Sequence, residues 1–420
     1  MLKKITHTLF SKGSAAFINF AILLITSKVL GAEIRGEISV FILNIAIIQI
    51  VNEIYTGYTL VHFIPKFSFK KLYQFGFLWV IIVTALLSLG FYLFHVKMGG
   101  HWWHLFFLSF IVILHSFHLV FILGKEKIKL YNLLSLSQPL LLLMSLLVFI
   151  FVLHQKNVTI YIISMYVSFI PPALVSSFFI FKEYKKAIQQ ELFLAKQIFT
   201  NGFYNQFAAL THMLSNRYNY YLLSTNVLVG VYSGATSLIE SVWLISGSVS
   251  PIVLTQVANS KQNANNKHIT FVLAKLCFIL SGICVVILYF IPNEFFVALL
   301  GEDFLDTKRI MLLLSPGILC VSFSSIIVHY YSGIGKQKTV AIANLCGFLT
   351  TIILGYSLIK NYGTAGACYT SNISYFITSF ILMIVFMHEH HFSFKELFEL
   401  KKNIYLIRED ITNEKINKSI

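Results

Sequence analysis

The sequence predicts an all-α polytopic membrane protein with about twelve transmembrane helices in two pseudo-symmetric six-helix lobes. Three observations predict it. Hydrophobic residues make up 57% of the chain and charged residues only 12%, with a mean hydropathy of +0.77, which lies outside the range of soluble domains. The apolar residues are gathered into continuous runs, and a helix needs about 20 of them to cross a bilayer. The basic residues alternate from side to side of those runs. Continuous runs of this length also argue against barrel strands, which alternate apolar and polar positions, and a helix satisfies its own backbone groups in lipid.

The elements follow in order. Runs 13–30 and 37–60 come after the basic start MLKKITHTLFSKG, which has no small-residue cleavage site, so the first run is read as an uncleaved span. Runs 73–94 and 102–123 are joined by a segment ending in HWWH, whose tryptophans suit a membrane interface. Runs 131–153 and 159–181 complete the first half. Run 199–223 carries periodic polar residues, and 227–256 follows it directly. Runs 269–291 and 309–333 flank 292–308, whose Glu294, Glu302, Asp303 and Asp306 read as a solvated hairpin. Runs 339–359 and 365–387 close the second half. The expected domains are a lobe at 1–196, a lobe at 197–388 and a charged, amphipathic cytoplasmic tail at 389–420.

The net charge of +15 is distributed in a telling way. With a cytoplasmic N-terminus and twelve spans, 23 Lys and Arg fall on the cytoplasmic side, seven on the other, and Arg217 and Lys275 within spans. That bias is the positive-inside rule, and it places both termini in the cytoplasm. The basic residues are scattered over short loops facing anionic lipid, so the pI near 9.4 does not indicate a nucleic-acid partner. No connection is long enough for a soluble catalytic domain. The five cysteines lie in predicted spans of the second half without metal-ligand or CxxC spacing, and read as small apolar residues.

Two internal echoes divide the chain. GKEK at 124–127 recurs as GKQK at 335–338, an offset of 211, and GEIS at 36–39 has a weaker echo in GVYS at 230–233, an offset of 194. Halves with an even number of spans enter from the same side, giving a parallel repeat with the substrate site expected between them.

Polar residues inside spans mark candidate function. Asn201, Asn205, His212, Asn216 and Asn219 share one helical face of the seventh span, which faces either a neighbouring helix or a wet cavity. Arg217 lies off that stripe, six residues from the outer end of its span. It is either an interfacial anchor among Tyr218, Tyr220 and Tyr221, or a cavity residue whose guanidinium grips phosphate oxygens. Lys28, at the end of the first span, puts a second cation in a comparable place. Span eight carries Ser233, Ser237, Glu240, Ser241, Gly247, Ser248, Pro251 and Thr255 on one face, and span two carries Asn44, Gln49, Asn52, Glu53 and Thr56. Glu53 and Glu240 could take up a proton or sodium, or neutralise basic neighbours as structural ion pairs. The histidines of HWWH at 101–104 and HEHH at 388–391 are not read as metal ligands, and His115 and His118 read as interhelical hydrogen-bonders. There is no GxSxG, Walker A or paired-carboxylate loop, so neither enzymatic activity nor a cofactor is expected.

Several stretches resemble Wzx-type polysaccharide and O-antigen flippases of the multidrug/oligosaccharidyl-lipid/polysaccharide exporter superfamily. They are LLITSKVLGAEIRGEISVF (23–41), NVLVGVYSGATSLIESVWLISGSVSPIVL (226–254), LLGEDFLDTKRIMLLLSPGI (299–318), YYSGIGKQKTV (330–340) and YGTAGACYTSNISY (362–375). The resemblance implies two six-helix lobes forming a V around a central, cationic cavity. It implies alternating-access translocation of an undecaprenyl-diphosphate-linked oligosaccharide across a bacterial cytoplasmic membrane for surface polysaccharide, including lipopolysaccharide. Its implied partners are that lipid-linked sugar, membrane lipids, a proton or sodium ion and other polysaccharide-assembly proteins. By this resemblance Lys28 and Arg217 meet the diphosphate, while Asn205, His212, Asn216, Asn219 and Tyr220 line the sugar path. Relatives often read Arg-x-Asp where this chain has Arg217 and Asn219, so an ion-coupling carboxylate would have to be Glu53 or Glu240. A multidrug efflux pump of the same superfamily, or a membrane-embedded polymerase or ligase, are the alternatives.

Overall fold

The computed structural model describes residues 2–97, 100–186, 195–259 and 263–392. Of the tail expected at 389–420, residues 393–420 lie outside the described residues. The described residues contain helices and no strands. In order they are α1 (Leu2–Thr56), α2 (Phe69–Leu93), α3 (Trp102–Gly124), α4 (Ile128–Leu147), α5 (Val158–Lys186), α6 (Ala195–Arg217), α7 (Asn219–Leu222), α8 (Asn226–Ile239), α9 (Trp243–Asn259), α10 (Asn263–Phe290), α11 (Asn293–Leu300), α12 (Thr307–Gly333) and α13 (Gln337–His390). The all-α membrane fold expected from the sequence is therefore the observed one.

Among the described residues, nine helical stretches are long and apolar enough to cross a membrane. Two of them hold two predicted runs each. α1 turns at Gly31 (φ +81°) and α13 at Gly363 (φ +56°, ψ −129°), conformations that only glycine adopts without strain. Arg35 braces the first corner by donating from Nη1 to Thr26 Oγ1 at 3.1 Å. The second corner is a tight fold-back, because Gly366 presses on the Leu358 carbonyl. Further along the same arms, Ser374 donates to the Gly347 carbonyl at 2.7 Å and Thr378 to the Ala343 carbonyl at 3.4 Å, so they run antiparallel. α6 is too polar to be counted on hydropathy alone. With it, the segments follow the twelve runs of the sequence.

The described residues form two compact units. The first comprises those within 1–210, 224–234 and 297–305. Its core joins Ile38, Phe41 and Ile48 of α1 to Leu105 and Ile113 of α3, Leu146 of α4 and Ile162 of α5. A second cluster gathers Tyr55, Leu60, Phe69, Phe117, Phe121 and Ile180. His118 behaves as an interhelical hydrogen-bonder, between Tyr73 Oη and Ser176 Oγ, each at 3.0 Å. His115 packs edge-on to Phe169 instead, with no hydrogen-bond partner for either ring nitrogen among the described residues.

The GEIS and GVYS echoes meet inside this unit. A Cβ on Gly36 would strike the Asn226 carbonyl, and a Cβ on Gly230 would strike the Ala32 carbonyl. Ser39 donates to Ser233 Oγ at 2.8 Å. The pairs 32/226, 36/230 and 39/233 all share the 194-residue offset. The crossing is therefore self-complementary, like an isologous interface: Gly36 meets the equivalent of Ala32, Ala32 meets the equivalent of Gly36, and Ser39 meets its own equivalent. The GKEK and GKQK echo is different. Both segments lie at helix ends closed by the same six-to-one bond, Lys127 N to Ile122 O at 3.1 Å and Lys336 N to Tyr331 O at 2.9 Å. The left-handed residues are Glu126 and Gly335, two positions out of register with the lettered repeat. α2 ends the same way at His95, so this turn is a general helix terminator in the chain.

Segment 292–308, expected to be a solvated hairpin, is built and anchored. It holds α11 and a 3-10 turn at Glu302–Phe304, and within the first unit Asp303 Oδ2 accepts the Ala32 N–H at 3.0 Å, capping the helix that starts after Gly31. Phe304 is fully buried.

The second unit comprises the described residues within 211–223, 235–296 and 306–392. α12 packs on α9, α10 and α13 around Phe271, Tyr330, Tyr331 and Phe386. Pro316 interrupts α12, and the freed groups are all accounted for. Ser315 Oγ donates to Leu312 O at 2.7 Å, in place of the N–H that Pro316 lacks. Asn372 then inserts between Gly317 N and Leu313 O, accepting from one at 3.0 Å and donating to the other at 2.6 Å.

Candidate functional site

The polar cluster of the second unit forms where two spans are interrupted. α6 stops at Arg217, and the chain resumes as the single turn α7. The eighth span breaks into a 3-10 turn at Glu240–Val242 between α8 and α9. At both points the backbone stays right-handed helical, with Tyr218 at φ −57°, ψ −30° and Trp243 at φ −67°, ψ −12°, so Arg217 and Glu240 lie at local irregularities of their spans.

The two residues pair with each other. Arg217 Nη2 donates to Glu240 Oε2, and Nη1 donates to the Tyr220 hydroxyl at 2.7 Å. The guanidinium carbon also lies 5.6 Å from the Tyr220 ring centroid. Both side chains are mostly buried, Arg217 at 23% exposure and Glu240 at 14%. Of the readings open for Glu240, the structure shows the ion pair with a basic neighbour, and that neighbour is Arg217 of the preceding span. Glu240 Oε1 and Asn216 Oδ1 are buried with no hydrogen-bond partner among the described residues. The cluster therefore combines a cation that has spare N–H groups with two acceptors that have unused lone pairs.

Around the pair, His212 lies 6.3 Å from Trp243 between ring centroids, and Trp243 lies 6.2 Å edge-on to Tyr375. Trp243 Nε1 donates to the Ile318 carbonyl at 3.3 Å, which fixes the indole. Trp243 and Tyr375 were not singled out from the sequence. The available signal was a tryptophan in mid-span rather than at the belt. Asn219 is fully buried and donates to Ala367 O at 3.0 Å and Ser371 Oγ at 2.9 Å, tying α7 to α13. On α9, Gly247, Ser248, Pro251 and Thr255 are exposed.

The remaining candidates belong to the first unit. Lys28 is exposed and donates from Nζ to Ala298 O at 2.8 Å, in the last turn of α11, where carbonyls lack helical partners. Glu53 Oε1 accepts from Gln49 at 2.9 Å and Ser116 at 3.4 Å, with no ion-pair partner among the described residues. Asn205 is partly buried, and the Asn201 side chain lies outside the described residues. The structure thus groups His212, Asn216, Arg217, Asn219, Tyr220 and Glu240 in one unit, and Lys28, Glu53 and Asn205 in the other.

No three His, Cys, Asp or Glu side chains among the described residues are arranged to hold a metal ion. Instead His101 pairs with Glu37 at 3.4 Å and His104 meets the Tyr166 hydroxyl at 3.3 Å. All five cysteines are free thiols.

No family model matches the chain, and no curated protein matches it in sequence. Solved structures do match. The chain is similar to the lipid II flippase MurJ in an inward-closed conformation, with a TM-score of 0.68 and 15% identity over 98% of this chain and 93% of that one. It is similar to an inward-facing multidrug resistance MATE family transporter of the MOP superfamily, with a TM-score of 0.69 and 12% identity over 92% of this chain and 96% of that one. A eukaryotic MATE transporter matches with a TM-score of 0.60 and 14% identity over 98% of both chains. The chain has the fold that these membrane transporters share.

Proposed function

We propose that the protein is a transporter that moves an undecaprenyl-diphosphate-linked oligosaccharide between the leaflets of a bacterial cytoplasmic membrane. The observation that carries this reading is Arg217, a cation inside a span whose guanidinium is held ready by Tyr220 and Glu240. A planar guanidinium suits a diphosphate, which it can grip bidentately. Trp243, which is partly exposed, supplies aromatic surface for a sugar ring, with the buried Tyr375 packed edge-on against it. The exposed face of α9 carries Ser248 and Thr255, which suit a wet path, alongside the apolar Leu244 and Ile252.

Glu240 and a diphosphate compete for the same guanidinium. A proton on Glu240 removes its claim and strengthens cargo binding at Arg217, and loss of that proton restores the pair, so the exchange sets cargo affinity; because proton and cargo bind together, it does not by itself drive outward movement with an inward proton gradient. Glu53 is the observation that favours a second reading, drug efflux, because a carboxylate without an ion-pair partner among the described residues suits an organic cation.

Depleting the protein from its host and extracting lipids separates the two. The flippase reading predicts that lipid-linked oligosaccharide accumulates on the inner leaflet while surface glycan falls. Normal glycan with new sensitivity to cationic drugs would replace it with the second reading.

A further inference from the structure

The first unit holds a cavity of about 290 Å³ between α2 and α5, lined by Tyr73, Gln74, Phe77, Ile180, Phe181 and Tyr184. Its walls are aromatic and aliphatic. Tyr73 stacks on Phe117 at 5.5 Å and on Phe77 at 6.1 Å, so the back wall is rigid. On either side the same helices expose Phe75, Leu78, Leu174 and Phe178, as lipid-facing surfaces do. The cavity therefore opens towards acyl chains.

One end of it is polar. Gln74 Nε2 donates to the Tyr184 hydroxyl at 3.0 Å. Lys70, one turn before Gln74 on the same helix, holds its Nζ 5.4 Å from the Tyr184 ring centroid. Lys70 is exposed and has no carboxylate partner among the described residues. The carboxylate next to Tyr184 in sequence is Glu183, and Lys127 holds it at 3.1 Å. A greasy slot with a free ammonium at its polar end has the layout of an anionic lipid, with chain in the slot and phosphate at the cation. The charge bias along the chain puts this end of α2 on the cytoplasmic side.

We propose that this groove binds one anionic phospholipid of the cytoplasmic leaflet, its phosphate on Lys70 and one acyl chain between Phe77 and Phe181. The site does not depend on what the protein transports. It would seat the first unit on a bound lipid and set its depth in the bilayer.

The test is native mass spectrometry of the purified full chain, given phosphatidylglycerol and phosphatidylcholine in equal amounts. Phosphatidylglycerol should be retained about five-fold more than phosphatidylcholine at one site, the factor one lysine near an anionic headgroup contributes. Lys70→Gln should abolish that preference, Lys70→Arg should keep it, and Lys338→Gln, which removes an exposed lysine of the other unit, should leave it unchanged. Equal retention of the two lipids in the wild type would overturn the proposal. So would an undiminished preference in Lys70→Gln, or the same loss in Lys338→Gln.

Discussion

Arg217→Ala should abolish transport and lower stability, and the two losses should come apart when Glu240→Gln is added. The single variant leaves Glu240 buried beside an empty space, which costs about 3 kcal/mol when the carboxylate is charged. The double variant removes that charge and should recover most of the thermal stability. It should not recover transport, because the group that grips the diphosphate is still missing. Losing a buried, hydrogen-bonded charge partner costs about 2–5 kcal/mol of binding, so cargo affinity should fall roughly 100-fold. Melting temperature and cargo binding, measured on the wild type and the two variants, check both halves. Recovery of transport in the double variant would make Arg217 a neutralising partner and nothing more.

The second large effect is expected at the glycine crossing. Gly36→Ala and Gly230→Ala each put a methyl group onto a backbone carbonyl of the opposing helix, Asn226 in one case and Ala32 in the other. A carbonyl inside a helix cannot swing aside, so the helices must part and the Ser39–Ser233 hydrogen bond must break. Each variant should cost about 3 kcal/mol or more. Because the contact is self-complementary, the two should be equally damaging, and the pair should cost less than the sum. Gly90→Ala is the control. A Cβ there meets nothing, so the variant should be neutral or slightly stabilising. Thermal unfolding of the three purified variants decides it. Tolerance of Ala at 36 or 230 would mean that the crossing is looser than the structure has it.

The glycine crossing also marks how far sequence reasoning reaches. The letters GEIS and GVYS were legible as an echo, because a repeat leaves its trace in residue types. Their mutual contact was not legible, since nothing along the chain says that two copies of a motif must touch. The spans were legible for a stronger reason: an apolar run of bilayer length has few other uses. α6 was the weak case, its polar residues diluting the hydropathy that identifies its neighbours.

For the site, the residues were legible and so was an ion pair as one alternative for Glu240, but not that Arg217 would be its partner. Arg217 and Glu240 stood out because charges inside spans are expensive. They belong to different spans, and only packing decides whether a buried carboxylate meets a cation or an ion. Lys28 makes the same point from the other side. It looked like a counterpart of Arg217 by position, yet the unfilled carbonyls ending α11 offer it a local partner. Asn219 sat on the polar stripe, and its amide serves α13 instead.

The account turns on Arg217 gripping a diphosphate in competition with Glu240, and one measurement reaches that directly. Purified protein would be placed in sealed vesicles with a fluorescent undecaprenyl-diphosphate-linked oligosaccharide, and its appearance in the far leaflet followed by an externally added glycan-cleaving enzyme. The account predicts protein-dependent translocation, competed by soluble pyrophosphate and absent in the Arg217→Ala/Glu240→Gln double variant. No translocation, with uptake of an organic cation by the same vesicles, would contradict it.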